Sequence, residues 1–185
     1  MILTLNQLAS ACGARIDRAQ AFLPYIQEAI DAYGIDTPER VAAFLAQIGH
    51  ESGGLKYTRE IWGPTPAQSR YEGRADLGNT EPGDGERFKG HGLIQTTGRA
   101  NHARVRDRLR EKFPHLTVPD FEETPEALAE YRWAALSAAD FWDEHGLNEL
   151  ADAGDFMRLT RRINGGTNGY EDRVARWDTA KAVLA

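Results

Sequence analysis

The chain has 185 residues, 41% of them hydrophobic and 27% charged, which is the size and composition of one packed domain rather than of a disordered or fibrous chain. Its formal net charge of −6 argues against a nucleic-acid partner, and its one cysteine, Cys12, excludes an intrachain disulfide and suits a reducing compartment. No apolar run approaches the roughly 20 residues of a membrane span, so no stable membrane association is expected.

From the N-terminus, MILTLNQLASACGARI lacks a basic leading segment and loses its apolar character at Asn6 and Gln7, so it reads as a short helix and not as a signal peptide. Thr37-Pro38 is a cap followed by a first-turn proline, and it opens a helix that ends at Gly53-Gly54. Along that helix Val41, Phe44, Leu45 and Ile48 recur at helical spacing, and Glu51 continues the same row. Between Gly53 and Gly90, eight glycines and three prolines erase helical periodicity. Trp62, Tyr71, Leu77 and Phe88 give this segment apolar anchors, so it is expected to be an ordered loop system with a short hairpin near Phe88 to Thr96.

Residues 99–112 carry six basic side chains against Asp107 and Glu111, while residues 120–144 carry eight acids against Arg132 alone. Two solvated helix faces that pair with each other are the plain reading, and a basic strip that docks on a polyanion is the alternative. Thr124-Pro125 is expected to open a helix with Leu128, Tyr131, Ala135, Leu136, Ala139 and Trp142 on its inner side until Gly146 stops it. Asp155 caps another through Phe156, Leu159 and Ile163, ending at Asn164-Gly165-Gly166. Residues 171–184 close the chain with Val174, Trp177 and Leu184 on one face.

The glutamate in the apolar row is the chemical oddity. A carboxyl at the end of a buried stripe loses hydration, which disfavours its charged form, raises its pKa and makes it usable as a general acid near neutral pH. On that account Glu51→Gln should melt no lower than the parent. Glu60, nine residues on and in a more solvated setting, would stay ionised and serve as a base; two carboxyls with divergent pKa values equip a chain for glycosidic bond hydrolysis. Other chemistries find no support. His50-Glu51 is followed by Gly54 where a zinc peptidase needs a second histidine, and no phosphate loop or serine-nucleophile elbow occurs. His91, His102, His115 and His145 show no paired ligand spacing.

Three blocks in order, AQIGHESGGL (46–55), GNTEPGDGERFKGHGLIQTTGRAN (78–101) and RRINGGTNGYEDR (161–173), together resemble the family 19 glycoside hydrolases in the compact form of phage endolysins and bacterial lysozyme-like enzymes. The resemblance implies that Glu51 is the general acid and Glu60 the base that activates water. It also implies that Gln95, Asn101 and Asn164 contact the sugar chain, and that Thr97 positions the water with its hydroxyl. Asparagine and glutamine suit N-acetylated sugars because each side chain offers both a donor and an acceptor. The chain departs from the family pattern at His91, where arginine is expected, and at His102, where tyrosine is expected.

On this resemblance residues 1–185 form a single catalytic domain with no separate wall-binding module. The expected fold is mainly α, lysozyme-like and two-lobed, with a long ordered loop region and at most a short β-hairpin. The expected activity is inverting hydrolysis of β-1,4 bonds between N-acetylated sugars of peptidoglycan glycan strands, by a monomer, with no metal or other cofactor. Synthesis in a bacterial cytoplasm without a signal peptide, followed by release onto the cell wall, completes the expectation. A chitinase of the same family, a lytic transglycosylase, and a wall-binding or phage structural protein without turnover are the alternatives; Glu60 favours hydrolysis over transglycosylation, which needs one carboxyl only.

Overall fold

Helix starts fall where the chain supplies a capping side chain. In the computed structural model, which describes residues 1–185, Thr4 and Gln7 form a reciprocal capping box that opens α1 (Leu5–Cys12). After the left-handed Gly13 comes α2 (Ile16–Ala32). The Thr37 hydroxyl accepts from the Arg40 amide, with Pro38 in the first turn, and opens α3 (Pro38–Glu51) where the sequence places it.

Every residue of α3 from Val41 to Gly49 is buried. That is more than an amphipathic stripe and marks a helix covered on all sides. It is enclosed by α1, by α8 (Leu147–Asp152) and most extensively by α10 (Tyr170–Leu184). The approach of α1 is close enough that a Cβ on Gly49 would lie 2.7 Å from the Cys12 carbonyl oxygen, so only glycine fits. A second group forms where α2 and α6 (Arg99–Lys112) pack on α7 (Tyr131–Glu144). One apolar core joins both groups, with Phe44 and Trp142 meeting edge to face at 5.3 Å between ring centroids. Complete burial of a side chain such as Phe44 contributes about 1.5–3 kcal/mol.

Thr124-Pro125 does not open one continuous helix. It starts a 3₁₀ segment, Pro125–Ala129, after which Glu130 is extended (φ −66°, ψ 146°) and α7 begins at Tyr131. The extended residue resets the helical register. Leu128, Ala135, Leu136, Ala139 and Trp142 therefore all point inward as expected, but Tyr131 lies half-exposed on the surface against Phe22. Asp155 does cap α9 (Phe156–Asn164), accepting from the Arg158 amide, and Gly165 ends it at φ 75°.

The oppositely charged stretches pair with each other. Arg106 reaches Asp120 at 2.8 Å and Glu122 at 2.6 Å, Arg108 reaches Asp140 at 2.8 Å, and Arg104 lies 3.5 Å from Glu144. The basic strip is thus engaged within the fold.

The segment from Gly53 to Gly90 is ordered, with two short helices, α4 (Pro66–Ser69) and α5 (Asp84–Arg87). Of its four expected apolar anchors only Phe88 is fully buried; Trp62, Tyr71 and Leu77 are half-exposed. Polar contacts do more. The buried Asn79 donates to the Tyr71 carbonyl and accepts from the Arg99 amide, and the buried Asp84 takes both Nε and Nη2 of Arg99 at 2.9 and 2.6 Å. The hairpin reduces to two isolated bridges, Arg59 with His91 and His91 with Thr96. These align three short extended segments side by side.

Candidate active site

Glu51 is the last residue of α3, and the chain turns sharply beyond it. Gly53, Gly54 and Leu55 all take left-handed conformations, and Ser52 braces the turn by donating to the Ile48 carbonyl and accepting from the Leu55 amide. A buried leucine at φ 58° is strained, and the only other non-glycine residue with positive φ is Gln95 at 59°. Gln95 lines the site itself, and Leu55 lies in the turn between Glu51 and Tyr57, which also line it.

The Glu51 carboxyl is not the isolated, desolvated group that its place in the apolar row suggests. Arg173, 1% exposed at its side chain, reaches up from α10 and donates to Oε1 of Glu51 at 2.5 Å. The same guanidinium donates to Oε1 of Gln47 and to the Asn168 carbonyl, and Gln47 in turn donates to the Thr160 hydroxyl at 2.8 Å. A buried arginine needs a compensating charge, and Glu51 supplies it. Oε2 of Glu51 takes no hydrogen bond from the protein. Arg173 lies in the third sequence block; what the sequence does not show is that α10 passes under α3.

Glu60 sits on the extended segment opposite. Oε1 accepts from Gln68 Nε2 at 3.0 Å and from the Tyr71 hydroxyl at 3.3 Å, and Oε2 accepts from the Gly90 amide at 3.0 Å. Three donors and no acceptor make a shell suited to a carboxylate. Burial first, and then the Glu60 charge, push the Tyr71 hydroxyl above its ordinary pKa. Glu60 is therefore half-buried and held in place, where the sequence reading has it merely more solvated.

The two glutamates line one open pocket of about 280 Å³, together with Tyr57, Arg59, Ile61 and Gln95. Gln95 also lines an adjoining pocket of about 260 Å³ with Thr97, Asn101, Arg104 and side chains of α7. A groove thus runs from the carboxyls past Gln95 to Asn101. Thr97 lies in the second pocket, not beside the glutamates, and its hydroxyl donates to the Gln95 carbonyl at 3.0 Å. Asn101 donates to the Thr97 carbonyl at 2.7 Å. Asn164 lines neither pocket: it is exposed, and its Oδ1 accepts from the Asn168 amide at 3.3 Å, although its neighbour Ile163 does line the second pocket.

The scattered histidines include one pair that spacing does not reveal. Nδ1 of His91 lies 2.9 Å from Nε2 of His102, both rings buried, behind the Gly90 amide that caps Glu60. His102 Nδ1 is 2.8 Å from the Gly98 carbonyl, which can only accept. His102 therefore donates there and accepts at Nε2 from His91. Burial pushes His91 down to about 3, helped by His102 and then by Lys89 and Arg59, and pushes His102 down to about 4. Both rings are neutral at pH 7. No three His, Cys, Asp or Glu side chains come together in a geometry able to hold a metal ion.

A helical domain with two glutamates facing one open pocket, continued by an amide-lined groove, has the build of an enzyme acting on glycans. No family model matches the chain. A Haemophilus influenzae protein described as glycosyl hydrolase family 19 domain-containing is 30% identical over 175 residues, covering 80% of this chain and 82% of that protein. The chain belongs to glycoside hydrolase family 19 and is a glycoside hydrolase. An endochitinase from Arabidopsis thaliana is 30% identical over 163 residues, 88% of this chain and 52% of the plant protein, so the chain spans about half that relative's length. Among solved structures, chitinase C from Streptomyces griseus superposes with a TM-score of 0.71 at 20% identity, over 99% of this chain and 76% of that one. A bacterial family 19 chitinase gives 0.75 at 18%, over 100% and 96%. These two share the fold, which is the mainly α, lysozyme-like one.

Proposed function

We propose that this glycoside hydrolase cleaves β-1,4 bonds between N-acetylated sugars of bacterial peptidoglycan, with inversion, as an endolysin-type enzyme. The observation that carries the mechanism is the joint lining of one pocket by Glu51 and Glu60. Glu51, protonated on the free Oε2 when substrate is bound, gives that proton to the glycosidic oxygen as the bond to C1 breaks. Glu60 takes a proton from a water on the opposite sugar face, and that water's oxygen bonds to C1. Arg173 holds Glu51 in place and stabilises the carboxylate that remains once the proton has left. Gln95 and Asn101 answer the acetamido and hydroxyl groups of sugars lying along the groove, and Thr97 braces the Gln95 turn rather than touching the water. Asn164 takes part only if the strand extends past Ile163.

A fold held without any disulfide suits synthesis in a reducing bacterial cytoplasm, from which the protein is released onto the wall to act as a monomer. Chitin offers the same linkage and is the second reading, favoured by the similarity to a plant endochitinase. Mass spectrometry of digested sacculi and of digested chitin tests the proposal. Peptidoglycan fragments with an ordinary reducing end support it; cleavage of chitin alone, or 1,6-anhydro ends, contradicts it.

A further inference from the structure

The segment from Tyr57 to Trp62 has the two-residue alternation of an extended strand. Thr58, Glu60 and Trp62 are half-buried, while Tyr57, Arg59 and Ile61 are exposed, Ile61 at 72%. All three exposed side chains line the pocket that holds Glu51 and Glu60. The pocket's rim is therefore a cation flanked by an aromatic ring and an aliphatic chain. Arg59 makes no ion pair and no side-chain hydrogen bond, whereas Arg104, the other arginine lining the groove, lies 3.5 Å from Glu144, and Arg173 behind it pairs with Glu51. An unengaged guanidinium in the catalytic pocket of a chain with net charge −6 is a local exception to the overall sign. Chitin is uncharged and gives it nothing to pair with. A muramyl residue does: its 3-O-lactyl group carries a methyl and leads into a peptide bearing carboxylates.

We infer that the Tyr57–Arg59–Ile61 rim is the specificity-determining surface of this enzyme, with Arg59 reading the acidic lactyl-peptide substituent of peptidoglycan and Ile61 packing on its apolar part. The inference rests on the peptidoglycan reading and adds to it the residue that selects this glycan over chitin. Guanidinium pairs with a carboxylate through two parallel N–H donors, and at an exposed rim such a pair contributes modestly and is screened by salt.

The test compares kcat/KM on soluble glycan strands that retain their stem peptides with kcat/KM on chitohexaose, for the parent, Arg59→Gln and Arg59→Lys. The expected result is a fall of about fivefold in the ratio of the two for Arg59→Gln, the size of one exposed ion pair, with most of the ratio kept in Arg59→Lys. The parent's ratio should also fall from 50 to 500 mM salt, more steeply than that of Arg59→Gln. Equal losses on both substrates, or an unchanged ratio, would overturn the inference while leaving the peptidoglycan reading intact. A parent enzyme that cleaves chitohexaose but not the peptide-bearing strands would overturn both. Thermal melts of the three proteins separate these outcomes from misfolding.

Discussion

Arg173 donates to Oε1 of Glu51 across 2.5 Å from a position almost wholly shielded from water. The general acid proposed for this enzyme therefore rests on a buried cation contributed by the last helix. That cation is anchored in turn through Gln47 to Thr160 on α9. Removing it leaves Glu51 and Gln47 without their donor, and an unpaired partner of a buried ion pair costs about 3–5 kcal/mol. Arg173→Met is expected to lower stability by that amount in urea unfolding and to abolish turnover. Arg173→Lys should restore stability in part.

Glu51→Gln should abolish turnover, because an amide has no proton of the right acidity to give to the leaving oxygen. The ion pair also reverses the expectation drawn from the sequence. An isolated desolvated carboxyl would be relieved by becoming an amide, whereas here Arg173 loses its counter-charge and keeps one neutral acceptor. A loss of about 1–2 kcal/mol is expected. A folded Glu51→Gln protein with near-parental lysis of cell-wall substrate would remove Glu51 from the mechanism.

For Glu60→Gln the shell of donors gives a specific expectation. The amide nitrogen must face either the Gly90 N–H or the pair Gln68 and Tyr71, so one donor loses its acceptor. Stability should drop by about 1–3 kcal/mol, and kcat should fall far more than saccharide affinity. Isothermal titration with an oligosaccharide, run beside turnover assays, separates the two. Affinity lost with turnover kept would make Glu60 a binding residue.

Acid should unfold the protein through His91 and His102. Their folded pKa values, about 3 and about 4, lie below the ordinary value of 6.5, so the unfolded chain binds protons more readily in that interval. The stability they contribute is full above pH 6.5 and is lost as pH falls toward 4 and then 3, by up to about 1.4 kcal/mol per pH unit for each ring. Melting temperatures from pH 7 to pH 4 should decline less steeply in a His91→Gln, His102→Gln double variant than in the parent. Parallel declines would mean that the histidine pair has no part in the acid response.

The loop that carries Glu60 depends on Asp84 and Arg99. Arg99→Met would leave the buried Asp84 carboxylate unpaired; its pKa now lies below the usual range because Arg99 donates to it. A loss of about 3 kcal/mol is expected, together with proteolytic nicking between residues 53 and 90 before the helical body is cut. Limited proteolysis mapped by mass spectrometry checks this.

Local chemistry carried far into the fold. Thr37-Pro38 and Asp155 mark their helices because a cap acts within one turn, and Glu51 stands out because its row of apolar neighbours repeats every three or four residues. Glu60 is different: beside Arg59 it looks like any solvated glutamate, and only the resemblance to a family singles it out. Arg173 under Glu51, His91 against His102, and Asp84 with Arg99 are pairings between different elements of the fold. No periodicity encodes them, because each depends on how two helices or loops are brought together. The break at Glu130 is equally hidden, since Leu128, Tyr131, Ala135 and Ala139 follow helical spacing in the sequence whether or not one residue between them is extended.

In the proposed mechanism Glu51 and Glu60 act from opposite faces of the sugar, one giving a proton and the other activating water. Early-time proton NMR of a soluble muro- or chito-oligosaccharide digest measures this directly, before mutarotation mixes the anomers. The new reducing end is expected to appear first as the α-anomer. An initial β-anomer, from a nucleophilic second carboxyl, or 1,6-anhydro ends, from an internal hydroxyl, would contradict this mechanism even if Glu51 proved essential.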